Sequence, residues 1–205
     1  MARRRPPATP PLEADEPPRI IGGDLRGRRL AHRPGGPTRP MKDRVRETLF
    51  DLLGQRIKQA VVIDLFAGTG ALGFEALSRG AARAVFVERH FPTADVLRRS
   101  AAGLGLADRC QVLPGDALVW TRRMLYLPQE GRWVVFVSPP WQLFVDQAAD
   151  LMALVAAVMA AAPSESVVVV EADQRFDPAA LPNPVAWETR AIHPAVLHFH
   201  GRLVS

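Results

Sequence analysis

The sequence predicts an α/β fold built on a mostly parallel sheet, and three observations support this prediction. Short apolar runs alternate with helix-like patterns between residues 61 and 170. A glycine-rich turn joins the first apolar run to the first helix. The last two apolar segments, 187–192 and 196–200, predict a terminal antiparallel pair. This alternation favours parallel strands with right-handed crossovers, so ligands are expected beyond the carboxyl ends of the strands.

Hydrophobic periodicity predicts each element in turn. Short apolar pieces around Gly22-Gly23 predict a hairpin over residues 19–30. Asp43 is the predicted N-cap of a helix that reaches about Gln55. The predicted strands are Val61–Leu65, Ala84–Val87, Cys110–Leu113, Val134–Val137 and Val167–Val170. The predicted helices between and after them are 71–78, 92–102, 117–127 and 146–162.

Composition limits the class of protein. Hydrophobic residues make up 48% of the 205 residues, which is enough for a core. Residues 1–18 are rich in proline and charge, so they predict a disordered tail. No apolar run resembles a secretory signal or a membrane span, and the single Cys110 rules out an internal disulfide. The histidines lack metal-ligand spacing. We therefore expect a cytoplasmic monomer that uses neither a metal nor a membrane.

Positive charge is concentrated near the N-terminus. The net charge is +5, and between Arg19 and Arg46 basic residues greatly outnumber the acids Asp24 and Asp43. Such a stretch favours a polyanion, because each neutralised phosphate releases a counterion. The alternative is a solvated basic surface. A nucleic acid is the predicted partner.

The glycine-rich turn, residues 64–73, predicts a nucleotide-containing ligand. Its glycines follow the GxGxxG pattern, and Glu88 ends the next strand, where an acid accepts ribose hydroxyl hydrogen bonds. Asp64 would repel the pyrophosphate of a dinucleotide, whereas it suits the ammonium and sulfonium of S-adenosylmethionine. Asp116 could accept from an adenine amine or cap the helix that begins at Ala117. A nicotinamide-dependent oxidoreductase is the alternative. The predicted cofactor contacts are Asp64, Phe66, Ala67, Gly68, Thr69, Gly70, Glu88, Asp116 and Ala117.

The segment Ser-Pro-Pro-Trp, residues 138–141, follows the fourth predicted strand. Prolines cannot extend a sheet, so the chain leaves it stiffly at the ligand edge. Ser138 Oγ and the Pro139 carbonyl could accept two N–H bonds from an exocyclic base amine and aim its lone pair. Trp141 could stack on a flipped base. Ser138, Pro139, Pro140 and Trp141 are the predicted catalytic residues; a simple proline turn with Trp141 as packing is the alternative.

With both motifs in view, the chain resembles the RsmD family of bacterial 16S rRNA guanine-N2 methyltransferases. The matching segments are RIIGG (19–23), RGRRL (26–30), RPMKDRVRETLFDLL (39–53), DLFAGTGALGFEALSRGA (64–81), VFVE (85–88), GDA (115–117) and SPPW (138–141). The resemblance implies a Rossmann-like class I methyltransferase fold, with a seven-stranded sheet, a C-terminal antiparallel pair and an N-terminal β-hairpin. It also implies S-adenosylmethionine as cofactor. The implied partner is 16S rRNA, in the small ribosomal subunit or in an assembly intermediate.

The resemblance also divides the chain. Residues 1–18 are the tail, 19–56 a basic RNA-binding extension of hairpin and helix, and 57–205 the methyltransferase domain. The predicted RNA contacts are Arg19, Arg26, Arg28, Arg29, Arg39, Lys42, Arg44 and Arg46.

Some residues depart from the family pattern. Ser138 stands where the family usually has Asp or Asn, so it retains an acceptor but lacks the charge. This departure leaves open a catalytically weakened RNA-binding assembly factor. Trp141 replaces Phe or Tyr, Met41 a typical Thr, and His193-Pro194 a Tyr-Gly pair. Asp146, Asp150 and Glu171 are interpreted as surface or helix-end charges.

Overall fold

A seven-stranded sheet forms the centre of the computed structural model, which describes residues 16–33, 41–120, 127 and 130–203. The strand order is β3-β2-β1-β4-β5-β7-β6. The first five strands along the chain are parallel, and β7 runs antiparallel to both β5 and β6. The predicted parallel sheet with a terminal antiparallel pair is therefore confirmed. The strands are β1 (Val61–Asp64), β2 (Arg83–Glu88), β3 (Cys110–Pro114), β4 (Trp133–Val137), β5 (Val167–Asp173), β6 (Trp187–Ile192) and β7 (Ala195–His200).

Helices cover both faces of the sheet. They are α1 (Asp43–Leu53), α2 (Ala71–Ser78), α3 (Phe91–Gly103), α4 (Ala117–Trp120), α5 (Leu143–Asp146) and α6 (Ala148–Ala161). Helices α1 to α3 contribute to one apolar cluster, and α4 to α6 contribute to the other. The single helix predicted over 146–162 is wrong at its start, because Gln147 leaves helical geometry and separates α5 from α6. The helix predicted over 117–127 lies largely outside the described residues. Among the described helices, none is long and apolar enough to cross a membrane.

The central strands are buried on both faces, which explains their continuous apolar runs. Every residue of β1 and β4 is buried. Along β4, Phe136 faces the α1–α3 side and Val137 faces the α4–α6 side, as period-two geometry requires. The register pairs Asp64 with Phe136 and Val137 with Val170. Asp64, Ser138 and Glu171 consequently meet on the α1–α3 face, at the carboxyl edge of three neighbouring strands.

Helix α1 packs into the core of the sheet, although residues 19–56 are predicted to form an RNA-binding extension. Its buried stripe includes Leu49, Phe50 and Leu53, and the ring of Phe50 lies 5.8 Å from that of Phe136 on β4. The predicted N-cap is wrong by one residue. Lys42 is the N-cap, and Asp43 is the first helical residue.

The N-terminal arm, defined here as residues 19–30, folds back on itself as the predicted antiparallel hairpin, with a bridge between Arg19 and Arg29. Its two sides are also joined by backbone hydrogen bonds from the amide of Ile20 to the Arg28 carbonyl at 2.9 Å and from the amide of Gly27 to the Ile20 carbonyl at 2.8 Å. Gly22 and Gly23 lie against the end of α2. A Cβ on Gly23 would come 2.0 Å from the carbonyl oxygen of Ser78, and the φ of Gly23 is +74°. The paired glycines thus allow the backbone of the arm to dock closely on α2.

Candidate active site at the carboxyl edge of the sheet

The glycine-rich turn is held tightly between β1 and α2. Gly68 and Gly70 have φ values of 52° and 77°, in the left-handed region that favours glycine. The amide of Ala67 donates to the Val87 carbonyl at 3.0 Å, and the amide of Gly70 donates to the Ala67 carbonyl at 2.7 Å. The turn is therefore pinned to β2 and has little freedom to rearrange around a ligand.

Gly73, the last glycine of the pattern, has a packing role. A Cβ there would lie 2.2 Å from the ring of Phe86 on β2. Helix α2 can therefore lie directly on the sheet only with glycine at this position, which agrees with the role of the third glycine in such turns.

Asp64 is a buried carboxylate without a hydrogen-bond partner. Its side chain is 1% exposed, and neither oxygen makes a hydrogen bond to the described residues. Its pKa is raised to about 7, chiefly by burial and also by the negative charges of Glu88 and Glu171. The amides of Gly73 and Phe66 oppose the shift, although neither reaches normal hydrogen-bonding geometry. A cationic ligand is the partner that such a carboxylate lacks.

Glu88 fixes the turn from the neighbouring strand. One carboxylate oxygen accepts the amide of Gly68 at 2.8 Å, and the other accepts the amide of His90 at 2.8 Å. Since a carboxylate offers about four acceptor positions, both oxygens can still accept hydroxyl groups. Removing Glu88 would loosen the turn as well as any ligand contact, so Asp64 is the cleaner site for testing the ligand.

Asp116 caps helix α4. Its Oδ1 accepts the amide of Leu118 at 3.0 Å, so the predicted capping role is confirmed. The contact with an adenine amine stays a prediction. Among the other predicted cofactor contacts, Ala67, Thr69 and Ala117 are buried, and Phe66 is half-buried.

The Ser-Pro-Pro-Trp corner leads directly from β4 into α5. The carbonyl of Pro140 accepts the amide of Leu143 at 2.8 Å, so the turn is closed by the helix that follows it. Pro139 is buried and Pro140 is exposed. Trp141 is half-buried and packs against the α1–α3 cluster, so it contributes to packing whether or not it also stacks on a base.

Ser138 donates a hydrogen bond from Oγ to Glu171 Oε2. The interpretation of Glu171 as a surface or helix-end charge is wrong, because Glu171 lies within β5 and is half-buried. Burial raises the pKa of Glu171, and the hydrogen bond from Ser138 opposes that shift. Only the register of β4 against β5 brings these two residues together, and no local signal in the sequence indicates it.

The glycine turn and the proline corner form one site. From strand spacing and residue rise, the Cα atoms of Asp64 and Ser138 should lie about 8 Å apart. The charges of Glu88 and Glu171 both act on Asp64, which places three carboxylates together at the carboxyl edge of the sheet. Within the described ranges, no group of three or more His, Cys, Asp or Glu side chains is arranged to hold a metal ion.

Most of the predicted RNA contacts are exposed. Arg26, Arg28, Arg29, Lys42 and Arg44 lie on the surface, as does Arg19. Two of them also fix the arm: Arg19 pairs with Asp43 at 3.1 Å, and Arg28 donates to the Gly103 carbonyl at 3.0 Å. The predicted contact Arg39 lies outside the described residues.

The prediction that Arg46 contacts RNA is wrong. Its side chain is 1% exposed, and it donates to the Arg19 carbonyl at 2.7 Å and to Asp43 at 2.9 Å. It also lies 3.9 Å from the buried carboxylate of Glu75. Burial lowers the pKa of Arg46, opposed by the charges of Asp43 and Glu75. Arg46 therefore connects the arm to α1 and α2 and cannot reach a polyanion outside.

Comparison with known proteins identifies the family. A family model described as conserved hypothetical protein 95 matches residues 18–192. Ribosomal RNA small subunit methyltransferase D of Escherichia coli (strain K12) is 43% identical over 126 residues, which are 60% of this chain and 60% of that protein. The alignment thus spans less than two thirds of the length of that relative.

Solved structures extend the match to nearly the whole chain. The Escherichia coli protein yhhF superposes with a TM-score of 0.70 and 30% identity, covering 91% of this chain and 98% of that chain. An RNA methyltransferase from Salinibacter ruber shares the fold, with a TM-score of 0.55 and 19% identity over 80% of this chain and 93% of that chain. The Rossmann-like class I methyltransferase fold is confirmed. The chain belongs to the RsmD family, whose model carries the description conserved hypothetical protein 95.

Proposed function

We propose that this chain is an S-adenosylmethionine-dependent methyltransferase that acts on the exocyclic N2 amine of a guanine in small-subunit rRNA. The observation that carries the proposal is the buried, unpartnered carboxylate of Asp64, between the glycine turn and the proline corner. The name of the Escherichia coli relative supports rRNA as the substrate.

The residues at the sheet edge fit this cofactor. Asp64 would face its cationic groups, Glu88 its ribose hydroxyls and Asp116 its adenine amine. When bound, the cofactor supplies an electrophilic methyl group on a positively charged sulfur. The three carboxylates disfavour a dinucleotide, because the pyrophosphate would approach Asp64, Glu88 and Glu171 at close range.

The proline corner would hold the acceptor amine. The lone pair of a base amine is delocalised into the ring, so the amine needs alignment and charge stabilisation to react. Ser138 Oγ and the Pro139 carbonyl would accept its two N–H bonds, and Trp141 offers a stacking face. A rigid corner keeps these groups in place before the base arrives.

Charge is segregated in a way that suits both partners. Three carboxylates lie together at the carboxyl edge of the sheet, whereas arginines cover the arm on the surface. The arm would therefore bind the phosphates of 16S rRNA, in the small subunit or an assembly intermediate, while the carboxylates at the sheet edge face a cation. We further propose that the protein acts as a monomer in the cytoplasm, where its substrate is made.

Removing three arm charges should flatten the salt dependence of RNA binding. Changing Arg26, Arg28 and Arg29 together to alanine should reduce the slope of log affinity against log salt by about 2 to 3, because each lost phosphate contact contributes about 0.7 to 0.9. Anisotropy of a labelled 16S rRNA fragment measures this slope. The matched control changes three exposed arginines outside the arm, Arg83, Arg190 and Arg202. Equal slopes for the two triple variants would contradict an RNA-binding arm.

Two measurements test the proposed function. Calorimetry should show binding of S-adenosylhomocysteine and no binding of NAD(H); the reverse result would favour an oxidoreductase. Tritiated S-adenosylmethionine should then label 16S rRNA in small subunits from a strain that lacks this protein. Cofactor binding and RNA binding without transferred label would favour the weakened assembly factor. Mapping the labelled nucleotide would identify the guanine.

A further inference from the structure

The hydrogen bond between Ser138 and Glu171 joins the proline corner to the next strand. Ser138 follows β4, and Glu171 lies opposite it in β5, where the register pairs Val137 with Val170. Both side chains lie on the α1–α3 face together with Asp64. The family usually has Asp or Asn at position 138, and this chain has an acid one strand away.

We propose that Glu171 is a positioning residue for methyl transfer, which orients Ser138 Oγ toward the acceptor amine and supplies the negative charge that position 138 lacks. This inference rests on the proposed function. It makes the Ser138 corner a competent site and argues against the weakened assembly factor.

The direction of the hydrogen bond determines what Ser138 can recognise. A serine hydroxyl has one proton and two lone pairs, so a free hydroxyl can donate or accept. With its proton directed at Glu171, Oγ can only accept from a third group. It therefore favours an N–H donor, such as a base amine, over a carbonyl oxygen.

The pair also accounts for the proton that methylation releases. The amine nitrogen forms a bond to the methyl carbon as the carbon–sulfur bond breaks, and that bonding pair stays on sulfur as a neutral thioether. The nitrogen then carries one proton too many. This proton passes to Ser138 Oγ while the hydroxyl proton of Ser138 passes to Glu171, which later releases it to water. Burial raises the pKa of Glu171 and makes its carboxylate a better proton acceptor.

Moving the negative charge from residue 171 to residue 138 tests the inference in the full-length protein. Glu171→Gln should lower kcat about 100-fold, the scale of a lost proton acceptor, while the KM for S-adenosylmethionine changes less than about twofold, since Glu171 touches the cofactor site only through its field. Ser138→Asp combined with Glu171→Gln should restore kcat to within about tenfold of wild type, because the charge returns beside the amine. Ser138→Asp alone should be slower than the double variant, since two carboxylates then adjoin.

A second measurement, which does not depend on enzyme activity, tests the same hydrogen bond. Carbon-13 NMR titration of the Glu171 carboxyl should show a higher pKa in Ser138→Ala than in wild type, because the hydrogen bond that stabilises the carboxylate is gone. Asp64, the other acid whose charge couples to Glu171, is unchanged in both proteins. An equal pKa in the two proteins would overturn the pairing.

The control lies on the same strand. Asp173→Asn changes the acid two residues beyond Glu171, whose carboxylate pairs with Arg175 and has no contact with Ser138, and it should leave kcat unchanged. If wild type is active and Glu171→Gln is equally active, the inference fails and the proposed function stands. If Glu171→Gln is slow and the double variant is no faster, Glu171 has only a structural role. An inactive wild type that binds the cofactor would count against the proposed function itself.

Discussion

Changing Asp64 to asparagine should greatly weaken cofactor binding and at the same time stabilise the unliganded protein. The affinity for S-adenosylhomocysteine should fall about 100-fold, because truncating one side of a buried charge interaction costs a few kcal/mol. RNA binding should be nearly unchanged, since the arm lies on the surface. Calorimetry and anisotropy measure the two affinities separately.

The stabilisation should depend on pH in a defined direction. The pKa of Asp64 is about 7 in the folded protein and 3.8 as its ordinary value. Between these values the unfolded chain has already released a proton that the folded protein still holds, so wild-type stability falls as pH rises from about 4 to 7. The advantage of Asp64→Asn should therefore grow over this interval and be complete above pH 7. Since asparagine still buries an amide, we expect a net gain of about 2 kcal/mol.

Thermal denaturation of the unliganded protein checks this result. At pH 8 the variant should melt about 5 °C higher than wild type. Near pH 4 it should be no more stable than wild type, because the carboxylate penalty is gone there while the cost of the buried amide remains. Asp108→Asn, at an exposed position, is the control and should change neither quantity. A variant that binds the cofactor normally would show that Asp64 does not face the ligand; equal stability at every pH would show that its burial carries no penalty.

Changing Glu75 to alanine should destabilise the protein by about 3 kcal/mol, because it removes one partner from a buried ionic network. Glu75 is fully buried in α2, where it accepts the amide of Ile21 and the guanidinium of Arg79, each at 2.8 Å. It also lies 3.9 Å from Arg46. Its loss leaves these donors without their acceptor and releases the arm from α2.

Urea denaturation should show the lower midpoint, and limited proteolysis should cut the arm faster. Glu47→Ala is the matched control, since Glu47 is exposed on α1, and its stability should stay within about 0.5 kcal/mol of wild type. Glu75→Gln keeps an acceptor for the amide of Ile21, so its free energy of unfolding should lie between those of Glu75→Ala and Glu47→Ala. If Glu75→Ala were as stable as Glu47→Ala, the network would not hold the arm.

Patterns within short stretches of sequence were sufficient for the strands, most helices and the glycine turn. Burial on both faces requires continuous apolar runs, so β1, β4 and β5 were predicted within a few residues at their ends. The turn was recognisable because its glycines need left-handed backbone or close packing, and both are properties of a single position. The acid at the end of β1 follows from the same local pattern.

Contacts between distant segments required the tertiary structure. Arg46 resembled its exposed neighbours in composition, yet the packing of α1 against α2 buries it beside Glu75. Glu171 has the local pattern of a surface charge, yet the register of β4 against β5 brings its carboxylate into hydrogen-bonding contact with the Ser138 hydroxyl. Gly22 and Gly23 lead into the predicted turn, where the Gly23 carbonyl accepts the amide of Arg26 at 3.2 Å, but their close docking on α2 has no local signal in the sequence. The type and charge of a residue can be read from the sequence. Its burial and its hydrogen-bond or ion-pair partners depend on which distant segments pack together, so they require the tertiary structure.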